Sequence, residues 1–279
     1  VTSQPATSSA FWRAPAGGLT ALILAGSRGV GDPLAVYAGV SHKALIEIDG
    51  TPMIERVVVA LAAVAGIARI VISIELPELI AGLSGVQAAA NGLPIEVLKS
   101  AASPSRSVAA ALDHCGTPLL VTTADHALLQ AEWISYFLGH IPADADAAVA
   151  LANKAAILEA VPDTARTYLR FADDHYSGCN LFLFATPAAA GAVHFWREVE
   201  AERKRPWRML RRLGLGFALR YAIGKLPLNS AIARLGELSG TRAAVVKMPF
   251  GRAAVDVDKP ADLDLVQRLL AQDRKKNQA

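Results

Sequence analysis

Cysteine is nearly missing from this chain, Cys115 and Cys179 being its two. So few thiols exclude a disulfide-stapled scaffold and a cysteine-based zinc site, and they lead us to expect a reducing, cytoplasmic setting. Charge is sparse too, at 19% of residues against 53% hydrophobic. That balance fits a globular protein with an Ala-rich, helix-friendly interior and not a disordered chain. No apolar run is long enough to span a bilayer. Residues 1–18 lack both a basic start and an apolar core, so they read as a disordered leader and not as a signal peptide. A length of 279 residues accommodates one large α/β domain or two small ones.

Acid is scarce in one stretch. The net charge is only +3, yet between Arg197 and Lys225 lie Arg203, Lys204, Arg205, Arg208, Arg211, Arg212 and Arg220, opposed by Glu198, Glu200 and Glu202. Such a region calls for an anionic partner: a phosphorylated substrate, a membrane surface or nucleic acid. From Trp207 to Lys225 the cations alternate with Leu, Phe and Ile. That segment either lies on a membrane surface, as a peripheral contact through 207–225, or packs on its own domain with its arginine heads in solvent.

What is present is organised around Leu22-Ile23-Leu24-Ala25-Gly26-Ser27-Arg28, followed by a polar run and then His42-Lys43-Ala44-Leu45. Apolar residues ending in a small-residue turn predict a buried parallel strand that opens into a loop, the edge at which α/β sheets bind ligands. With little side chain at Ala25 and Gly26, backbone amides can approach a phosphate chain, and Arg28 and Lys43 supply cations to its oxygens. A Rossmann dinucleotide loop fits less well, because Gly26, Gly29 and Gly31 stand in the wrong order.

Further along, Met53 to Val64 predicts a helix and Arg69 to Ile74 a strand. Ile95 to Leu98 predicts another strand, leading into a helix from Ser105 to His114. Pro118 to Thr123 is the next buried strand, with Asp125 at its tip. Asp125 is either a carboxylate for a hard cation or the N-cap of the helix holding Trp133 to Leu138. Asp146 to Leu151 reads as a strand, and Tyr168 to Phe171 with Cys179 to Phe184 as a hairpin. Helices are expected over Pro187 to Lys204 and Asn229 to Leu238, and a strand over Arg242 to Met248. In Val255-Asp256-Val257-Asp258, alternation puts Asp256 and Asp258 on one side of an extended segment. Asp262 suits the cap of a last helix from Leu263 to Gln272, and Lys275-Lys276 a frayed tail.

These motifs together resemble the MobA-like NTP transferases. Leu24-Ala25-Gly26 with Arg28, then Lys43-Ala44-Leu45, then Gly50-Thr51-Pro52-Met53 match that family's signature loop, and Asp256-Val257-Asp258-Lys259-Pro260-Ala261-Asp262-Leu263 matches its closing motif. The departures are Ser27 for a glycine, His42 for a proline, and a longer stretch from Gly29 to Ser41. The resemblance implies a three-layer α/β/α fold with a mixed, mostly parallel sheet of the nucleotide-diphospho-sugar transferase type. It covers most of 19–270 and implies a domain over 19–272, with 203–238 as a basic helical insertion and 273–279 as a tail.

It also implies nucleotidyl transfer from an NTP to a phosphorylated small-molecule acceptor with release of pyrophosphate, and no nucleic-acid partner. In that scheme Lys43, Arg28 and Asp125 are catalytic, while Asp125, Asp258 and Asp256 hold Mg2+. Leu24, Ala25, Gly26 and Ser27 cradle the phosphates. Ser105, Arg106 and Ser107 match the segment that approaches base and ribose in cytidylyltransferases, which favours CTP. Asn180, in Gly178-Cys179-Asn180, matches a turn facing the acceptor and serves equally well as a simple turn residue. Lys154 and Arg170 are further cations for an acceptor phosphate. Two other readings share these features: a GT-A glycosyltransferase, which releases a nucleoside diphosphate, and a non-catalytic nucleotide or membrane-surface binding protein.

Overall fold

The computed structural model describes residues 11–27, 31–202 and 213–278. Its strands are β1 (Leu19–Leu24), β2 (Glu47–Ile48), β3 (Thr51–Pro52), β4 (Ile67–Ile74), β5 (Ile95–Lys99), β6 (Leu119–Thr123), β7 (Ala147–Asn153), β8 (Leu169–Arg170), β9 (His175–Phe184) and β10 (Ala243–Met248). The helices are α1 (Pro33–Tyr37), α2 (Met53–Ala62), α3 (Glu78–Ala81), α4 (Ser84–Ala89), α5 (Pro104–Cys115), α6 (Ala131–Gly139), α7 (Lys154–Ala160), α8 (Ala190–Glu202), α9 (Leu215–Ala222), α10 (Leu228–Ser239) and α11 (Pro260–Gln278). The main sheet runs β10-β7-β9-β6-β1-β4-β5, and β8 pairs with the start of β9. Pairing is parallel at β1–β4, β1–β6, β4–β5 and β10–β7, while β9 is antiparallel to both β6 and β7.

The layers follow from the period of two along each strand. In β1, Leu19, Ala21 and Ile23 enter a core with α2 and α6, whereas Leu22 enters the opposite core with Val108 of α5 and Val193 of α8. Both faces of a central parallel strand are thereby covered, which is why β1 reads as a continuous apolar run.

Register then decides what stands at the ligand edge. Leu24 pairs with Ser73 on one side and Thr123 on the other, and Ile74 pairs with Lys99. The residues within two positions of these strand ends, among them Ala25, Glu75, Ser100 and Asp125, share one rim. Near it the chain returns through a 3-10 turn at Gly251–Ala254. Gly251 has to be glycine there, since a Cβ would lie 2.0 Å from the carbonyl oxygen of Ala156. This contact brings the following extended segment to the rim, where the amide of Val257 donates to the carbonyl of Asp125 at 3.0 Å.

Several expectations need correction. Of the expected leader, residues 1–10 lie outside the described residues, whereas its end is tied to the domain: Phe11 bridges Pro142, and the Trp12 amide donates to the Ile141 carbonyl at 2.8 Å. The C-terminal tail is not frayed, because α11 continues to Gln278, with Arg252 paired to Asp273 at 2.7 Å and Arg274 paired to Asp49. Asp262 does cap this helix, from within its first turn, accepting from the amides of Asp258 and Lys259 at 3.2 and 3.1 Å. Gly178-Cys179-Asn180 is no turn but part of β9. Asn180 sits at φ +48°, opposite an irregularity in the β7 register between Val149 and Leu151.

Candidate active site

Lys43 begins a one-turn 3-10 helix, Lys43–Leu45, whose N-cap is His42. The His42 ring is buried, its Nδ1 accepting from the Ala44 amide at 3.1 Å and its Nε2 facing Glu75 Oε1 at 3.1 Å. An accepting Nδ1 leaves the proton on Nε2, so the ring donates to Glu75. Glu75 in turn accepts from the Ser27 amide at 3.1 and 3.2 Å and from the Ser27 hydroxyl at 2.6 Å. Burial opposes its ionisation, but the Ser27 and backbone donors and the nearby His42 hold its carboxyl below the ordinary value. One carboxylate at the end of β4 thus ties the signature loop to the turn that carries Lys43.

The Lys43 ammonium lies between two carboxylates, 2.7 Å from Asp125 Oδ2 and 2.7 Å from Asp258 Oδ1. Burial pulls the lysine pKa down, but the two acids outweigh it and leave the ammonium above its ordinary value. Asp125 also accepts from the Thr123 hydroxyl. The N-cap of α6 is Gln130, so Asp125 has no capping role there.

Asp256 faces other partners. Its carboxylate pairs with Arg166 at 2.6 Å and accepts from the Asn180 side-chain amide at 3.0 Å. Although burial works against ionisation, Arg166 and Asn180 keep it below the usual carboxylate range. Beside it His126 is fully enclosed, and burial drives its ring pKa down to about 4, so the ring is neutral near pH 7. The expected trio of acids is therefore a pair at the lysine plus a third clamped by an arginine. Among the described residues there is no cluster of three or more His, Cys, Asp or Glu suited to a metal ion.

A cavity of about 1020 Å³ opens from this pair, lined by Leu24, Gly26, Ser27, Lys43, Asp125 and Asp258 at one part and by Ser103, Ser105, Arg106, Ser107, Arg197 and Glu200 at another. The loop amides contribute less than expected: Ala25 N–H is bonded to the Ser73 carbonyl at 2.9 Å and Ser27 N–H to Glu75, so of the expected cradle amides neither of these two faces the cavity unbonded. The serine hydroxyls are engaged within the protein as well. Ser107 Oγ accepts from the Ala101 amide at 2.9 Å, Ser103 Oγ donates to Glu200 at 2.7 Å, and Ser105 Oγ donates to the same carboxylate. Ser105 and Ser107 thus shape the cavity wall, and Ser103 and Ser105 tie α8 across the start of α5. Asn180 and Ala25 do not line this cavity. Arg28 lies outside the described residues.

Sequence reading missed Glu75, Arg166 and Glu200. Glu75 carried a usable signal, being the residue just after an apolar strand whose end had to reach the ligand rim. Arg166 and Glu200 carried none, since one stands in irregular chain and the other on a charged helix face.

A mostly parallel sheet with a lysine, two acids and a loop amide gathered at its carboxyl rim defines a protein of the nucleotidyltransferase type. The model of the MobA-like NTP transferase domain matches residues 21–213, and the chain belongs to that family. A hypothetical transferase from Thermus thermophilus is similar over 88% of this chain and 99% of its own, with 30% identity and a TM-score of 0.74. A CMP:2-keto-3-deoxy-manno-octonic acid synthetase solved with CTP aligns at 16% identity over 92% of this chain and 98% of its own, with a TM-score of 0.55. The 4-diphosphocytidyl-2C-methyl-D-erythritol synthase of Anaerococcus prevotii aligns at 11% identity over 91% and 97%, with a TM-score of 0.57. These last two share the fold. No curated protein matches the chain.

Proposed function

We propose that this nucleotidyltransferase-family enzyme transfers an NMP group from an NTP, CTP in preference, to a phosphorylated small-molecule acceptor. An acceptor phosphate oxygen attacks the α-phosphorus, the bond from that phosphorus to the bridging oxygen breaks, and pyrophosphate leaves. The acceptor phosphate is already ionised near neutral pH, so no general base is needed and the work is positioning and charge neutralisation. The observation that carries this reading is the Lys43 ammonium, 2.7 Å from each of two carboxylates at the mouth of a large cavity.

Two carboxylates close enough to share one ammonium are a donor set that fits Mg2+, which keeps several waters and takes its remaining ligands from phosphate. Asp125 and Asp258 would hold the ion, and when bound it neutralises phosphate charge. Lys43 is positioned to turn from the acids to the departing phosphates. The Gly26 amide orients the chain of phosphates, while Ser27 and His42, both bonded to Glu75, fix the loop and the lysine turn. Arg28 would add a second cation. Asp256, locked by Arg166, reads as a support for the Asp258 segment and for Asn180.

For the base, Glu200 favours a partner with an exocyclic amine. A carboxylate only accepts, so it suits the N4 amine of cytosine and opposes the O4 carbonyl of uracil. A thermal-shift panel of the four NTPs with Mg2+ tests this first, since a ligand at 100 times its dissociation constant stabilises by about 2.7 kcal/mol. Stabilisation by CTP above UTP supports the assignment. No shift with any of the four, together with no Mg2+-dependent pyrophosphate release across phosphorylated acceptors, sinks it.

A further inference from the structure

Helix α9 buries none of its residues. Leu215 and Leu219 are 75% and 62% exposed, and Ile223, which caps the helix, is 55% exposed, a concentration of large apolar side chains on one short element and its cap. At 100° per residue, positions four apart drift by about 40°, so these three span an arc of roughly 80° on one side of the helix. The other side meets protein: Tyr221 sets its ring edge-on against Phe171 at 5.7 Å. The flanking backbone is tied down as well, through Arg234 Nε to the Leu213 carbonyl at 3.3 Å and the Ala172 amide to the Leu226 carbonyl at 2.8 Å. The stripe is therefore held outward by contacts behind it and at both ends.

Charge identifies what the stripe faces. From 203 to 225 the sequence holds eight Lys and Arg and no Asp or Glu. Arg220 flanks the stripe about 60° beyond Ile223 on the same wheel, and Lys225 follows at the end. An apolar strip bordered by cations of one sign matches a surface that is apolar inside and negative at its rim, which is an anionic lipid bilayer.

We propose that α9 is an interfacial helix that seats this chain on an anionic bilayer, with Leu215, Leu219 and Ile223 entering the acyl boundary and Arg220 and Lys225 meeting headgroup phosphates. The proposal stands apart from nucleotidyl transfer, because it is read without nucleotide or turnover. Flotation of the full chain tests it, using vesicles of phosphatidylcholine alone and of equal parts phosphatidylcholine and phosphatidylglycerol. The chain is expected to float with the anionic vesicles, far less with the neutral ones, and progressively less as salt rises.

Replacing Leu215, Leu219 and Ile223 together by Glu is expected to weaken partitioning by at least about tenfold, with an unchanged melting temperature because these side chains contact solvent. Arg220→Gln should weaken it by about fivefold, the loss of one cation near an anionic surface. Failure of the wild-type chain to float with the anionic vesicles overturns the proposal, as does equal flotation of the triple variant. So does wild-type self-association without lipid binding that the triple variant abolishes, which would assign the stripe to a second copy of this chain.

Discussion

Asp256 and Asp258 stand two residues apart on one extended segment and live in different environments. The Asp256 side chain is 15% exposed and held by Arg166, whereas that of Asp258 is 65% exposed and meets Lys43. A clamped acid has its negative charge neutralised by a fixed partner and is poorly placed to take up a ligand. Under the proposed function, an acid shared with a second carboxylate around one ammonium exchanges that partner for a metal while the ammonium turns to a phosphate. Proximity in sequence thus says little about role; the identity of the opposing cation says more.

The largest effect should come from the exchangeable side. Lys43→Ala and Asp125→Ala are each expected to lower pyrophosphate release by roughly a hundredfold or more, as removal of one electrostatic partner commonly does. If either variant keeps full turnover while folded, the mechanism is wrong. Asp258→Asn and Asp256→Asn then set the two environments against each other. The first should reduce turnover with a nearly unchanged melting temperature. The second should destabilise the fold by about 3 kcal/mol, because a largely buried Arg166 charge loses its partner. Equal loss of stability in both, measured by denaturant melts, would erase the distinction.

Smaller effects sharpen it elsewhere. Glu200→Gln supplies a donor as well as an acceptor where the wild type only accepts, so discrimination between CTP and UTP should shrink by about tenfold, one hydrogen bond to a charged group. A preference that persists unchanged in competition assays would remove Glu200 from base reading. Far from the rim, Asp146 is a second clamped acid, held well below the usual carboxylate range by Arg242 and by the Thr186 hydroxyl. A depressed folded pKa means that its stabilisation is present above the unfolded value of about 3.9 and is lost as pH falls toward the folded value. Asp146→Asn should therefore cost about 2 kcal/mol at pH 7 and flatten the acid limb of stability below pH 4. A variant that loses stability with acid as steeply as the wild type would count against this.

Much of this arrangement could be read along the chain. The short, mostly apolar runs of β1, β6 and β7 mark strands buried on both faces, because apolar run length is a local property, and Asp125 was legible as a strand-tip residue for the same reason. The closing motif announced two acids on an extended segment. Sequence could not say that the Ala25 amide would complete a sheet bond to Ser73, or that Ser105 and Ser107 would turn their hydroxyls to Glu200 and Ala101. Those outcomes depend on register between strands and on how α8 crosses α5. Likewise, α9 and the basic stretch before it were visible as apolar and cationic, but which residues stay in solvent depends on where Phe171 takes up Tyr221.

By itself the sequence determined the buried strands, the lysine after the first loop and the acids near their ends, because apolar run length and residue type act over a few positions. Only the tertiary structure decided which cation each acid meets. Lys43 reaches Asp125 across 82 residues and Asp258 across 215. Contacts at such separations are fixed by strand order and register, which no local stretch of chain encodes.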